Sequence, residues 1–484
     1  MNILFSTFEL APFTKVGGLA DVMGSMPKAL RKLGCNIKIF APFIGSINQE
    51  KYGIKEVPGS EMSIRFGQAM YTFTLRTTKL PDTDIDVYFI ENYKYFGCTH
   101  EVYPKNIDHR YEQERFVCFS LACLEYAKKL NYKPDIFHVN DWHTAMIPIY
   151  LKNSYRYDSF YQNTKCVLSI HNLAYQGQYN YDILNFANMY VCDVFHSYGC
   201  EHFGSLNWLK GAINYTDKIV AVSPKYAEEI LTAEYGEGMD YTLRCNQGKI
   251  RGILNGIDYS VFDPAKDKSI VKNYTVKNFE KGKSECKKEL CKEFNLPYYP
   301  EKPVIGFVSR LVDQKGLDLF YAAEQELRNM DAQLIILGSG EKRYEDYLDW
   351  LCKTSDNIRV YIGYNGKLAN KIYSGADMFL MPSKFEPCGL SQLVALKYGT
   401  LPIVRATGGL DNTIVGYPLD NSNGFKFWRY DSWDMMQAIY CAIGVYHDKH
   451  TRNAMIKSAM EYDYSWDKSA KEYYQMYKDL CGKA

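Results

Sequence analysis

Five short stretches set charged or polar side chains at the ends of apolar runs, four of them with glycines. In "KVGGL", Lys15 precedes Gly17 and Gly18, between the apolar "NILFS" and the helical pattern "ADVMGSMPKALRKLG". Glycines there let the backbone approach a ligand, and a helix start offers free N–H groups. With the positive charge of Lys15 they suit a phosphate or another anion. Plain turn chemistry is the other reading, because the stretch is neither G-x-G-x-x-G nor a Walker A loop. "SRLVDQKGLDLF" repeats the theme, with Arg310 closing an apolar run and Lys315 just ahead of a helix start. Two cations so placed can hold a diphosphate and take up charge as it leaves; taken alone, they also read as solvated surface charges.

"PSKFEPCGLSQL" follows the apolar "DMFLM", puts Glu386, Cys388 and Gly389 in a turn, and enters a helix near Ser391. A carboxylate there can accept hydrogen bonds from sugar hydroxyls while the first N–H groups of the helix face a phosphate. Cys388 has no local His to activate it, so its thiol reads as packing. "HVNDWHTAMIP" sets Asp141, Trp142 and His143 at a strand end, and "LSIHNLAYQG" does the same for His171. Polar groups at strand ends of an open parallel sheet face the ligand crevice, although a single His is more often structural. No H-E-x-x-H or Cys/His set at metal spacing occurs, so no metal site is expected.

These stretches need elements to hold them. Short apolar runs ("NILFS", "NIKIF", "DVYFIE", "PDIFHVN", "KCVLSIH", "DKIVAVS", "IRGILNG") alternate with helical patterns, and a second series runs from "PVIGFVSR" to "TLPIVRA". Such alternation predicts mostly parallel sheets covered by helices on both faces. At 484 residues the chain exceeds one core, and two doubly wound α/β domains follow. The expected bounds are 1–260, 261–455 and a terminal helical stretch 456–484, rich in Tyr and Trp, that packs back on the first domain. A Lys-rich amphipathic segment fills the gap between the two series.

Lys and Arg number 57 against 56 Asp and Glu, a balance without the basic stripe that nucleic acid requires. The 14 Cys are scattered singly, which predicts free thiols in a reducing compartment. No apolar run reaches the length of a membrane span, and the N-terminus enters a strand at once. The expectation is a cytoplasmic protein, or a plastid one if a targeting segment has been removed. The 42 Tyr fit a compositional bias and carry no function by themselves.

The stretches "KVGGLADV", "NDWHTA", "HNLAYQG", "AVSPKYAEEI", "LNGID", "SRLVDQKGLD", "GSGE" and "PSKFEPCGLSQL" occur in the order of the bacterial glycogen synthase and plant starch synthase family. The chain closely resembles that family over essentially its whole length. The resemblance implies a GT-B fold with an interdomain active-site cleft. It also implies transfer of glucose from ADP-glucose to the non-reducing end of an α-1,4-glucan or maltooligosaccharide, with retention of configuration and with neither cofactor nor metal.

Carried onto matching positions, the resemblance assigns Lys15, Gly17, Gly18 and Asp21 to the nucleotide sugar. Arg310 and Lys315 go to the departing diphosphate, and Glu386 with the Cys388, Gly389, Leu390 and Ser391 helix start to the transferred glucose and phosphate. His171 and Asp141 fall beside the reaction centre, Asn255 on sugar hydroxyls, Tyr364 on the base, and Glu9, Tyr95 and Trp142 on the acceptor side. Val394 stands where many other retaining GT-B enzymes carry a second Glu, which separates this family from sucrose-handling relatives. A UDP-glucose user and a non-catalytic glucan-binding protein are the competing expectations.

Overall fold

Each series of apolar runs becomes a parallel sheet with crossover helices. The computed structural model describes residues 1–105 and 107–482. The chain divides into two units, residues 1–255 with 466–484, and residues 256–465.

In the first unit seven parallel strands lie side by side: Ile250–Gly252, Lys218–Ala221, Lys165–Ile170, Ile136–Asn140, Asn2–Ser6, Asn36–Pro42 and Asp86–Glu91. Ile3 sits opposite both Ile37 and Ile136. Strands buried on both faces must be apolar throughout, which is why these segments read as continuous apolar runs. The far edge departs from the parallel expectation. Ala69–Lys79 runs antiparallel to Asp86–Glu91 and carries Lys55–Glu56 and Met62–Phe66, also antiparallel. Short turns join these strands where no crossover helix is available, so an antiparallel meander is the sterically simple solution.

The second unit holds six parallel strands in the order Ile358–Ile362, Gln333–Gly340, Val304–Leu311, Met378–Met381, Leu401–Arg405 and Phe425–Phe427. Numbered along the unit this is the doubly wound order 3-2-1-4-5-6. Its core gathers Phe307, Leu334, Ile336, Phe379, Leu380 and Ile403, each contributing about 1.5–3 kcal/mol by full burial. In both units the chain order reverses between two neighbouring strands. These are Asn2–Ser6 beside Ile136–Asn140 and Val304–Leu311 beside Met378–Met381. Loops leaving the carboxyl ends of such a pair splay apart and open a crevice.

The unit boundaries differ from the expected ones. The first break falls at residue 256 rather than 261, and helix Lys449–Glu461 belongs to the second unit. Helix Trp466–Leu480 alone returns to the first unit. There the Tyr477 hydroxyl meets His138 Nδ1 at 2.5 Å, while His138 Nε2 meets Ser169 Oγ at 2.7 Å. Burial pushes His138 down to about 3, so the ring is neutral and the bond joins neutral partners.

The Lys-rich segment is no linker. It forms helix Phe279–Glu293 and buries Lys283 and Lys287. The Lys283 ammonium donates to the carbonyls of Ser374, Ala376 and Tyr398 and to Thr400 Oγ1, and Lys287 pairs with Asp377 at 2.9 Å. Buried ammonium groups are tolerable only with such full satisfaction. Among the described residues no helix is long and apolar enough to cross a membrane.

Candidate active site

The loop after strand Asn2–Ser6 carries the first candidate set. Gly17 caps helix Gly18–Lys32 in extended conformation without a side-chain cap. Glu9 supplies what the cap lacks: its Oε2 accepts from the N–H groups of Val16 at 2.9 Å and Gly17 at 2.6 Å. The Tyr103 hydroxyl donates to Glu9 Oε1 at 3.2 Å. The Gly17 N–H is therefore engaged by the protein's own carboxylate, and the amides from Gly18 onward are those that helix geometry leaves open. Lys15 Nζ lies 2.7 Å from Asp21 Oδ1 in the first helical turn. Both residues of that partly exposed pair stand in the same loop end, and such pairs are weak enough to exchange partners.

The loop after Ile136–Asn140 carries the second. Asp141 adopts φ +52°, a left-handed conformation uncommon outside Gly, Asn and Asp. That turn aims its buried carboxylate at the next strand end, where Oδ1 accepts from the N–H of His171 at 2.7 Å and of Asn172 at 3.3 Å. Burial pushes Asp141 up to about 7 against those two hydrogen bonds, and Glu9 adds to the rise. Among the described residues no cation is close enough to offset it.

The His171 ring faces the side chain of Asn140. Asn140 Nδ2 donates to the Ser6 carbonyl at 3.1 Å, so its Oδ1 is the atom that meets His171 Nε2 at 2.9 Å. An amide oxygen only accepts; Nε2 therefore carries the proton and Nδ1 keeps a lone pair. Burial pushes His171 down to about 4. Asn140→Asp puts a carboxylate against Nε2–H and favours the imidazolium, so the His171 pKa is expected to rise by roughly one to three pH units. Histidine ring NMR through a pH titration reads this directly, and an unmoved titration contradicts the pairing.

In the second unit the two switch-point loops meet. Lys315 closes the short 3₁₀ turn Asp313–Lys315, and Gly316 follows at φ +76°. A Cβ on Gly316 would sit 2.1 Å from the Pro382 carbonyl oxygen, so only glycine lets this loop press against the one that carries Glu386. The result is an ion pair of 2.6 Å between Lys315 Nζ and Glu386 Oε2, with side chains only 16 and 8 % exposed. Ser383 Oγ donates to the same Oε2 at 3.0 Å. Gln314 spans the loops, its Nε2 donating to the Phe385 carbonyl at 3.2 Å while Lys384 N–H donates to its carbonyl at 2.9 Å. Arg310 ends exposed beside Gln314, 3.5 Å from its Oε1.

Other sequence candidates fall as follows. Cys388 is buried behind the turn, Gly389 takes φ +72°, and Leu390 precedes helix Ser391–Lys397. Tyr364 stands exposed just past strand Ile358–Ile362. Asn255 is buried, and its Oδ1 has no hydrogen-bond partner among the described residues. His143 is stacked on Tyr103 at 4.9 Å, with Nδ1 likewise unpartnered and the ring pushed down to about 3 by burial.

Two acceptor-side expectations, Tyr95 and Trp142, fall on buried side chains. Tyr95 is wholly buried; its hydroxyl donates to Glu114 at 2.8 Å and its ring stacks on Tyr111. Trp142 is buried against Phe116 at 4.4 Å between centroids, so its ring packs the loop from beneath and offers a sugar little surface.

The sequence reading missed Asn140, Ser383, Gln314 and the pair Gly408 and Gly409. Gly408 takes φ +46°, and a Cβ there would lie 1.9 Å from the Glu386 carbonyl oxygen; Gly409 N–H donates to that oxygen at 3.1 Å. The segment "ATGGLDN" clamps the Glu386 turn. Its signal was available, since it repeats the strand, glycine pair and helix pattern of residues 17 and 18. Among the described residues no group of three or more His, Cys, Asp or Glu side chains is placed to hold a metal ion.

Comparison with known proteins follows this geometry. The family profile described as starch synthase catalytic domain matches residues 2–245, and that of glycosyl transferases group 1 matches residues 292–461. A glycogen synthase of Thermotoga maritima is 42% identical over 495 aligned positions, spanning 100% of this chain and 99% of the relative. One from Bacillus cereus ATCC 14579 is 41% identical over 487 positions, spanning 99% of this chain and 100% of the relative. Among solved structures, the catalytic domain of starch synthase IV from Arabidopsis thaliana, bound to ADP and acarbose, superposes with a TM-score of 0.92. Identity there is 29%, and the match covers 100% of this chain and 99% of that one. A sucrose-phosphate synthase from Thermosynechococcus elongatus, at 16% identity and TM-score 0.61 over 99% of both chains, shares the GT-B fold.

Proposed function

The chain belongs to the glycogen and starch synthase family of glucosyltransferases, and from that premise we propose that its donor is ADP-glucose, its acceptor an α-1,4-glucan, and its chemistry independent of metal. The observation that carries this reading is the Lys315 to Glu386 pair, a cation and a carboxylate at the switch point of the second unit. Lys315 and Arg310 take up the negative charge that develops on the diphosphate as the glucosyl bond breaks. Glu386, pre-positioned by Lys315 and Ser383, accepts hydrogen bonds from the hydroxyls of the transferred glucose. Lys15 and the open amides from Gly18 bind phosphate, Lys15 exchanging Asp21 for it. The unpartnered Asn255 Oδ1 takes a sugar hydroxyl, and exposed Tyr364 lies flat on the base. ADP in the structurally similar starch synthase supports the adenine nucleotide.

Retention of configuration needs either a covalent intermediate or attack from the face that the diphosphate leaves. Both candidate nucleophiles are already engaged, Glu386 by Lys315 and Ser383 and Asp141 by the amides of His171 and Asn172. That favours same-face attack. The uncompensated Asp141 carboxylate and the His171 Nδ1 lone pair, both electron-rich, stabilise positive charge at the anomeric carbon. No disulfide joins any of the 14 cysteines, which supports a reducing, cytoplasmic setting.

The test runs ADP-[14C]glucose and UDP-[14C]glucose in parallel against maltooligosaccharide with EDTA present. Incorporation is expected from ADP-glucose by a wide margin and undiminished by the chelator. Preference for UDP-glucose, or loss with EDTA, contradicts the corresponding part of the proposal.

A further inference from the structure

The edge of the antiparallel meander in the first unit is covered at both ends and bare in the middle. Among the described residues strand Met62–Phe66 pairs only with Ala69–Lys79, across the two-residue turn of Gly67 and Gln68. Phe66 and Ala69 close that turn and so form a hydrogen-bonded pair. The alternation of an antiparallel ladder then points the N–H and C=O groups of Ser63 and Arg65 away from the partner strand. Two side chains cover the ends of this outward row. Lys129 Nζ donates to the Glu61 carbonyl at 2.9 Å, and Asn188 Nδ2 donates to the Arg65 carbonyl at 2.6 Å. Edge strands are commonly blunted in such ways against stray pairing. Between the two covers, the N–H and C=O of Ser63 and the N–H of Arg65 have no hydrogen-bond partner among the described residues.

A cavity of about 480 Å³ opens beside that bare stretch, lined by Ser63 and Arg65 themselves and by Leu121, Tyr150, Tyr155 and Glu125. Its size falls in the range of ligand-binding sites. The Tyr155 hydroxyl donates to Glu125 Oε1, and among the described residues no cation is paired with that half-buried carboxylate. Lys128, within electrostatic reach of it, is taken up by Asp158 at 2.7 Å. The site therefore offers an unpaired strand edge and an uncompensated negative charge in one recess. A strand added to this edge would turn the residue opposite Ser63 to the exposed face and its two neighbours to the buried face, beside the cavity. A second copy of the same edge fits poorly. Its own Ile64 and Phe66 are already buried in their core, so nothing would fill the cavity or meet Glu125. Charge complementarity instead calls for a strand with a basic side chain.

We propose that this edge docks an extended peptide segment of a partner protein, which adds a strand to Met62–Phe66 and sets one basic and one aliphatic side chain, two residues apart, in the cavity, the base on Glu125. Docking of this kind recruits a partner and uses none of the residues of glucosyl transfer. The probe is an array of acetylated pentapeptides Thr-X-Thr-X-Thr that covers every pair of X, with the strongest binder measured again in solution by fluorescence polarisation. Lys or Arg is expected at one X, and Val, Ile or Leu at the other. Ser63→Pro removes the outward N–H and spares the ladder to Ala69–Lys79, since an edge strand tolerates proline where its nitrogen faces solvent. It is expected to weaken binding roughly tenfold or more. Glu125→Gln keeps an acceptor for the Tyr155 hydroxyl and should erase the preference for a base. Both variants should transfer glucose as the wild type does. Methylation of the central peptide nitrogen should abolish binding. An array without preference at either X overturns the proposal, as does an affinity that neither variant changes. Lysine amide bound as tightly as the peptide also overturns it, because the cavity then takes a small cation alone. So does a dimer that sedimentation velocity shows to be lost in Ser63→Pro, which assigns the edge to a second copy. Should Ser63→Pro fail to fold, Glu125→Gln and the methylated peptide decide.

Discussion

Lys315→Ala is expected to lower kcat by roughly a thousandfold or more, with a much smaller change in the KM for the donor. The pair is short and largely shielded from solvent, so the ammonium acts in a medium where its charge is poorly screened. In the ground state it orients Glu386; as the glucosyl bond breaks it meets the charge growing on the departing phosphate. An interaction that strengthens along the reaction coordinate appears in kcat. Removal of the cation also leaves the buried Glu386 carboxylate with the Ser383 hydroxyl but no balancing charge from Lys315, and that carboxylate loses its orientation. Glu386→Gln should therefore fall by a similar factor, and the double variant little further, because two groups acting as one unit are not additive. Steady-state kinetics on the three variants decide the matter. A Lys315→Ala enzyme within tenfold of wild type, or losses that multiply, contradicts a shared role.

Asp141→Asn is expected to abolish most activity and yet stabilise the protein at neutral and alkaline pH. Burial holds the Asp141 proton up to about 7, whereas the unfolded chain releases it near the ordinary carboxylate value. Between those two values the folded state binds more protons, so its stability declines as pH rises and the loss is complete above about 7. The gap amounts to about 4 kcal/mol, an order-of-magnitude figure. Asn keeps an oxygen for the amides of His171 and Asn172, tolerates φ +52°, and never ionises. Melting temperatures should coincide at pH 4 and diverge in favour of the variant by pH 8. Turnover should drop at least a hundredfold, because the neutral amide cannot stabilise positive charge on the sugar. In the wild type the acid limb of kcat/KM should titrate near 7. A variant destabilised at pH 8, or one that retains activity, contradicts this role for the carboxylate.

Much of this site was legible because both units put their chemistry where parallel sheets always offer it. Lys15, Asp141, His171, Arg310 and Glu386 each follow an apolar run, and the folded chain sets their loops at carboxyl strand ends, those of four of them at the order reversals. What the sequence hides is which partner a polar group chooses. Glu9 reaches across its own loop to the Val16 and Gly17 amides, a contact set by the path of the backbone. Tyr95 faces inward, because the turn Tyr93–Gly97 sets its ring on Tyr111. The antiparallel meander escaped notice for a similar reason. Its strands Met62–Phe66 and Ala69–Lys79 are half-exposed and alternate polar with apolar residues, so they lack the continuous apolar run that marked the others.

The most direct test of the account is to follow, by proton NMR, ADP-glucose and maltopentaose with the purified protein. The account predicts growth of α-1,4 anomeric signals in step with ADP release, one linkage per nucleotide, with neither change when the acceptor is withheld. Release of ADP without new α-1,4 linkages, or a new linkage of β configuration, contradicts it.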